Sequence, residues 1–482
     1  MCWIFSCSED DNVLDRRSEY YRGHTMTQTH LNVVILAAGQ GKRMHSALPK
    51  VLHTIANVSL LERVVNTALT LNPQKIIVIC GHEREVVQST LSHLPVQWVV
   101  QEAQLGTGHA ALQAMPHLHN DSKTLILFGD GPLIASDSLQ AVIHSTPKSG
   151  MALLVAEFAD PRGLGRVVRD NNGLFLRIVE EKDARAEELH LNEIFTGILC
   201  APTTQMTQWL QRLSNDNAQG EYYLTELPAL ALADGCAVTT VRLQHPQQAQ
   251  GINDKKQLAQ QERYFQSCQA EALLLQGLIL RDPNRFDLRG VVEFGMDVVI
   301  DINVILEGKV QMGDRVQIGA NTVIRNCIIG DDVIVKENCI LEDSVIGNDC
   351  TVGPFARLRP GTVLKEKAGI GNFVEVKKST IGSASKVNHL TYIGDATIGD
   401  DVNIGAGTIT CNYDGVNKHQ TIIGDRAFIG SDTQLVAPVT VGEGATIGAG
   451  STITKDVPAN QLSFCRKQQI FIENWERPQK EE

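Results

Sequence analysis

The chain has 482 residues, 43% hydrophobic and 20% charged, with 43 basic against 55 acidic side chains and a net charge of −12. That length allows roughly two to four domains with substantial cores, and the acidic balance excludes a sequence-independent grip on nucleic acid, since no local basic patch stands out. The longest apolar runs, at 32–38 and 76–80, fall far short of the roughly 20 residues that span a bilayer, so no membrane insertion is expected.

Asp10, Asp11, Asp15, Arg16 and Arg17 interrupt any signal-like apolar stretch. Residues 1–30 are expected to be a disordered extension, with translation beginning at Met1 or at Met26. The 11 cysteines include no C-x-x-C pair. They are expected to be reduced thiols in a cytoplasmic protein.

From 31 to 253, apolar runs of strand length alternate with stretches of helix length: 33–38, 76–80, 98–100, 124–128 and 152–156. Strands separated by helices imply an α/β domain with a mostly parallel sheet. A stretch without Pro or Gly, 254–276, carries Leu258, Phe265, Ala272 and Leu273 at roughly helical spacing and meets Gly277, Asp282 and Pro283. It reads as a connecting helix within a linker at 254–283.

Beyond it the glycines thicken, 17 lying in 1–283 and 23 in the shorter remainder, and the apolar period becomes six. Ile300, Leu306, Met312, Ile318 and Ile324 keep that spacing. After one-residue slips so do Ile329, Val335 and Leu341, then Ile346, Val352, Leu358, Leu364, Ile370 and Val376, and the register resumes from Ile423 to Ile453. Period six suits neither helix nor flat strand. It predicts a left-handed parallel β-helix over 284–482, each short strand sending one aliphatic inward and the following Gly turning the corner. The excursion at 411–420 reads as an inserted loop, where function tends to sit.

The first strand runs into Gly39-Gln40-Gly41-Lys42-Arg43-Met44, a basic Gly-rich loop whose N–H groups can approach phosphate. Met44 stands where a dinucleotide fingerprint needs a third Gly, and the Gly-Lys-Ser/Thr ending of a Walker loop is absent. L-A-A-G-x-G-x-R-M followed by Leu48-Pro49-Lys50 resembles the sugar-nucleotide pyrophosphorylases. Gln101-Glu102-Ala103-Gln104-Leu105-Gly106-Thr107-Gly108 is a second small-residue loop, and Gly129-Asp130 puts a carboxylate at the carboxyl end of a strand, where ligands bind in open α/β sheets.

With the second half included, the chain is similar to the bifunctional bacterial enzymes that acetylate glucosamine 1-phosphate and then uridylylate the product. The resemblance implies that Leu36, Ala37, Ala38 and Gly39 line the uridine nucleotide, that Arg43 and Lys50 neutralise phosphate, and that Gln101, Gly106 and Thr107 hold the uracil. It places Gly129 and Asp130 at the sugar and metal and Gly165 and Glu180 around the acetamido sugar. Asn253 completes a Mg2+ site with Asp130, consistent with a hard cation that takes few protein ligands. Two positions depart from the family. Phe195 replaces the Asn of Glu-Ile-Asn-Thr-Gly, costing a hydrogen bond worth about 0.5–1.5 kcal/mol. Gly131 follows Asp130 where the family has a small apolar residue, adding backbone freedom.

On the β-helix the resemblance gives His389 the general-base role, with Glu375 expected on its other ring nitrogen. Arg359, Lys377, Tyr392 and Asn403 take the sugar phosphate. Ala406, Asn412, Tyr413, Ser431, Ala449 and Arg466 take acetyl-CoA, and Cys411 reads as a site of thiol inhibition. Homotrimers are expected, with sites between subunits. The implied activity is acetyl transfer to glucosamine 1-phosphate, then uridylyl transfer from UTP releasing pyrophosphate. The alternatives are a pyrophosphorylase with a regulatory or oligomerising β-helix, and a non-catalytic sugar-nucleotide-sensing subunit.

Overall fold

The computed structural model describes residues 30–81, 83–465 and 469–477, so the expectations for the first 29 residues and for Arg466 lie outside the described residues. The chain divides into two compact units between Phe265 and Gln266. The division falls inside one helix, Lys255–Leu275.

In the first unit the apolar runs form strands β1 (Leu31–Ala37), β2 (Lys75–Cys80), β3 (Gln97–Val100), β4 (Lys123–Phe128) and β5 (Gly150–Glu157). The sequence reading missed β6 (Arg166–Arg169), β7 (Phe175–Val179), β8 (Glu193–Pro202) and β9 (Ala237–Arg242). The sheet runs β9-β5-β8-β4-β1-β2-β3, with β6 and β7 branching from β8. β1 lies parallel between β2 and β4, whereas β8 is antiparallel to both β4 and β5. Val33, Ile35, Val78 and Leu125 bury one face and Val34, Ile77, Ile79 and Ile126 the other. Burial on both faces explains why these strands read as continuous apolar runs. Ser59 caps helix α1 (Leu60–Leu69) by accepting from the Glu62 N–H at 3.2 Å.

The second unit is a parallel β-helix, with sheets of 11 and 17 short strands running up its sides. Hydrogen-bonded residues on successive coils stand 17 or 18 positions apart, and 25 across the inserted loop. From Ile300 to Ile453 the aliphatics at the repeat positions are buried. The structure adds a second interior rung that periodicity did not reveal. Two residues before the aliphatic stands a small buried side chain, such as Val333, Cys339, Ser344, Cys350, Ala368 or Thr433. Three cysteines thereby find a structural place, and burial pushes Cys327, Cys339 and Cys350 up to about 11.

The corner assignment needs correction. Of the glycines following the aliphatics, Gly353 has the positive φ of a corner, 96°, but Gly319, Gly330, Gly347, Gly371 and Gly382 do not. Left-handed backbone falls instead on Asn321, Asp332, Asn338 and Asp349, just before the small rung. Asn and Asp tolerate that region. The glycines are there for close approach: a Cβ on Gly319 would stand 2.6 Å from the Glu337 nitrogen of the next coil. On the first coil the Gln266 side chain satisfies edge backbone, accepting from Leu288 N–H at 2.8 Å and donating to its carbonyl at 3.1 Å.

Candidate functional site

In the first unit, the segment after β1 turns at Gly41, whose φ is 60° and whose Cβ position lies 2.7 Å from the Lys50 Cβ. The left-handed turn suits glycine, and the close approach to Lys50 leaves no room for a Cβ. Lys42 and Arg43 are exposed on the short turn Lys42–Met44. Gly129 donates to the Leu36 carbonyl at 2.9 Å, joining the ends of β1 and β4. Lys50 Nζ stands 2.5 Å from Asp130 Oδ2 and 3.1 Å from Asn253 Oδ1. Ile252 N–H donates to the Asp130 carbonyl at 2.9 Å, holding the Asn253 segment against that loop. Residues 80 and 203 positions apart thus converge on one cationic point.

That convergence suits a divalent ion. One carboxylate and one amide oxygen already meet around a positive charge, and hard cations such as Mg2+ take few protein oxygens beside phosphate and water. Among the described residues there is no larger His, Cys, Asp or Glu cluster able to hold a metal.

Beyond β3, Gln101 donates to the Gly106 carbonyl at 3.2 Å and to His109 Nδ1 at 3.0 Å. Gly106, at φ 109°, passes so close to Tyr222 that a Cβ would lie 2.7 Å from its carbonyl oxygen. Thr107 Oγ1 accepts from Leu224 N–H at 3.1 Å. These loops border an open cleft of about 320 Å³ lined by Gln40, Gly81, Arg84, Gln101, Glu102 and Gln104. Glu180 lies beside Gly165 and accepts from Thr225 Oγ1 at 3.0 Å. Burial, the largest influence, pushes the Glu180 carboxyl up.

The two departures take definite forms. Phe195 is 5% exposed and belongs to the apolar cluster of Val155, Val167 and Ile178, so its ring fills core. Gly131 has no positive φ, and the nearest atom to its Cβ position is 3.7 Å away, so the backbone there does not require glycine.

On the β-helix, the strand Lys386–His389 pairs with Gly369–Asn372 so that Asn372 lies directly under His389. Asn372 Oδ1 is 2.7 Å from His389 Nδ1. The expected Glu375 contact does not form, because Glu375 is taken by Arg359 at 2.7 Å. Above His389 the same column carries Ala406, Ser431 and Ala449, tied by Asp432 N–H to Ala406 at 2.7 Å and Gly450 N–H to Ser431 at 2.8 Å. Asn403 lies on the side before that corner and Tyr392 on the side after it, in register with Glu375.

The inserted loop is closed by Asp414, which accepts from Val416 and Asn417 N–H at 2.8 and 2.6 Å and contacts His419 Nε2 at 2.7 Å. The same hydrogen bonds, His419 foremost, lower the Asp414 pKa. Asn412 is buried and donates to Asp395 Oδ2 at 2.6 Å, whereas Tyr413 is exposed. Tyr413 bridges to Lys418, which presses on Lys377 and lowers its pKa. Lys418 and Asn372 were missed in the sequence. Asn372 could have been found by stepping down one coil from His389, a separation of 17. Burial raises the Cys411 pKa, which opposes the thiolate form and so the reactivity expected of it.

Comparison with known families agrees with both halves. Residues 33–228 match the MobA-like NTP transferase domain. Residues 289–372 match the GMPPB C-terminal domain, and 420–455 the bacterial transferase hexapeptide (six repeats). The chain joins an α/β domain of nucleotidyltransferase type to a parallel β-helix of hexapeptide repeats. Among solved structures it is similar to a nucleotidyl transferase from Methanothermobacter thermautotroptrophicus, at 20% identity and a TM-score of 0.36 over 49% of this chain and 97% of that one. No helix among the described residues is long and apolar enough to cross a membrane.

Proposed function

We propose that the protein makes a UDP-N-acetylhexosamine in two steps, acetyl transfer from acetyl-CoA to glucosamine 1-phosphate on the β-helix and uridylyl transfer from UTP in the first unit. The observation that carries the reading is the His389–Asn372 pair. An amide oxygen at Nδ1 accepts its proton, leaving Nε2 as the basic nitrogen. The amine of the sugar attacks the thioester carbonyl, Nε2 takes the amine proton, and the coenzyme leaves as a thiol. Asn372 holds the ring in that tautomer and Arg359, Lys377 and Lys418 receive the sugar phosphate. The Ala406, Ser431 and Ala449 column leaves room for an extended cofactor.

In the first unit a sugar phosphate oxygen attacks the α-phosphorus of UTP and pyrophosphate departs. Lys50 and Arg43 neutralise the developing charge, and the loop at Gly39 and Gly41 brings backbone N–H groups to phosphate. Asp130 and Asn253 would hold Mg2+, which would supply charge neutralisation at the phosphates.

A homotrimer forms part of the proposal. Phe355, Phe373 and Leu390 stand 49%, 55% and 62% exposed on successive coils beside His389, with the two rings stacked at 5.2 Å, and a neighbouring copy would cover them. A second reading, a nucleotidyltransferase whose β-helix is only a scaffold, draws support from the match of 289–372 to the GMPPB C-terminal domain. The deciding experiment supplies glucosamine 1-phosphate, acetyl-CoA and UTP with Mg2+ and follows thiol and pyrophosphate. Equal release of both is expected. Pyrophosphate only from a pre-acetylated sugar would establish the second reading, and neither product would sink the enzymatic one.

A further inference from the structure

Gln101 is 4% exposed and lines the cleft at the carboxyl end of β3. Its terminal nitrogen faces two partners, the Gly106 carbonyl at 3.2 Å and His109 Nδ1 at 3.0 Å. A backbone carbonyl can only accept, so the atom facing it is the amide NH2, and His109 Nδ1 must then accept the second N–H. With both hydrogens engaged, the amide has only its oxygen left for a ligand. His109 stands on helix α2, Thr107–Ala114. With Nδ1 accepting, Nε2 carries the ring proton, so the Gln113 amide nitrogen 3.3 Å from it makes no hydrogen bond there and donates instead to the His109 carbonyl at 3.2 Å; the Tyr222 ring lies 6.3 Å away. Gln104 repeats the device, its amide donating to the Ala38 carbonyl at 2.8 Å.

We infer that His109 is a positioning residue that locks the Gln101 amide with its oxygen as the group offered to the base, and so makes the cleft select an imide N–H. Uracil and thymine carry that donor at N3. Cytosine carries a lone pair there, and two acceptors would face each other across a desolvated contact. A site built to bond a ligand N–H rejects the analogue lacking it more strongly than an apolar pocket can. The inference rests on the nucleotidyl-transfer reading of the first unit.

The test compares wild type, His109→Leu and His109→Asn for kcat/KM with UTP and CTP, alongside calorimetric binding of UMP and CMP to the same full-length proteins. Asn can present an acceptor close to where Nδ1 stands, whereas Leu cannot. His109→Leu is expected to lower the UTP:CTP ratio by about tenfold, mostly through a higher KM for UTP with kcat within about twofold, and to lower the UMP:CMP binding ratio alike. His109→Asn is expected to keep most of the wild-type ratio. His109→Ala carries the same expectation as Leu if the Leu variant does not fold. An unchanged ratio in His109→Leu, or an equal fall in Leu and Asn, overturns the lock. Wild type without UTP turnover sinks the nucleotidyl-transfer reading, and the binding ratios then still decide the lock.

Discussion

Glu180 joins stability to function at a single side chain. Burial raises its carboxyl pKa while the Thr225 hydroxyl bond works the other way. A group whose folded pKa lies above its unfolded value adds stability that is full below the unfolded value, near 4.5, and is lost as pH rises through the folded value. At neutral pH the ionised Glu180 is therefore a cost the fold bears. Glu180→Gln is expected to raise the melting temperature of the first unit at pH 7 by about 2 °C, with the gain shrinking as pH falls below the wild-type folded pKa. Sugar phosphate KM should rise in the same variant, because the carboxylate is the proposed partner of the sugar. Thermal melts at several pH values check the first expectation, and a variant less stable than wild type at pH 7 would refute it.

At the scale of elements, the β-helix depends on close coil stacking. The Cβ position of Gly382 falls well inside contact distance of the Gly399 backbone, whereas that of Gly369 meets nothing nearer than 3.8 Å. Gly382→Ala is expected to destabilise the second unit by about 2 kcal/mol or more, and Gly369→Ala by no more than about 0.5 kcal/mol. Chemical unfolding followed by circular dichroism reads both, and equal effects would mean that the coils relax freely.

The same elements show what the chain made legible. The interior aliphatics of the β-helix announce themselves because each side repeats one bulky residue. The small rung does not, since Cys339, Ser344 and Ala368 share size but no hydropathy class. The corners were misread because glycine serves there for proximity while Asn338 and Asp332 supply the left-handed turn. In the first unit most strands buried on both faces were visible, although β8, with Ile194 on one face and Leu199 on the other, was not. β6 and β7, with Arg166, Arg169 and Arg177 among their side chains, were not. Motif reading reached Lys50, Asp130 and Asn253 as separate residues, but only the fold brings them to one point. Lys418 was illegible because its position depends on how Asp414 folds the loop.

For the whole molecule, the decisive property is that the proposed groups of the two chemistries fall in different units: Lys50, Asp130 and Asn253 in one, His389, Asn372 and the cations of Arg359, Lys377 and Lys418 in the other. If the two chemistries are separate, a lesion in one should be invisible to the other. His389→Ala is expected to lower acetyl transfer by about 100-fold or more, while pyrophosphate release from N-acetylglucosamine 1-phosphate and UTP stays within about twofold. Asp130→Asn should do the reverse, because it removes the one negative charge that meets Lys50 and would meet the proposed metal. The acetylated sugar phosphate is small and diffusible, so a mixture of the two full-length variants should convert glucosamine 1-phosphate, acetyl-CoA and UTP to the nucleotide sugar where neither variant does alone. Loss of pyrophosphate release in His389→Ala, with its melting profile unchanged, would show that the β-helix is not an independent catalyst but a part of the nucleotidyl-transfer machinery.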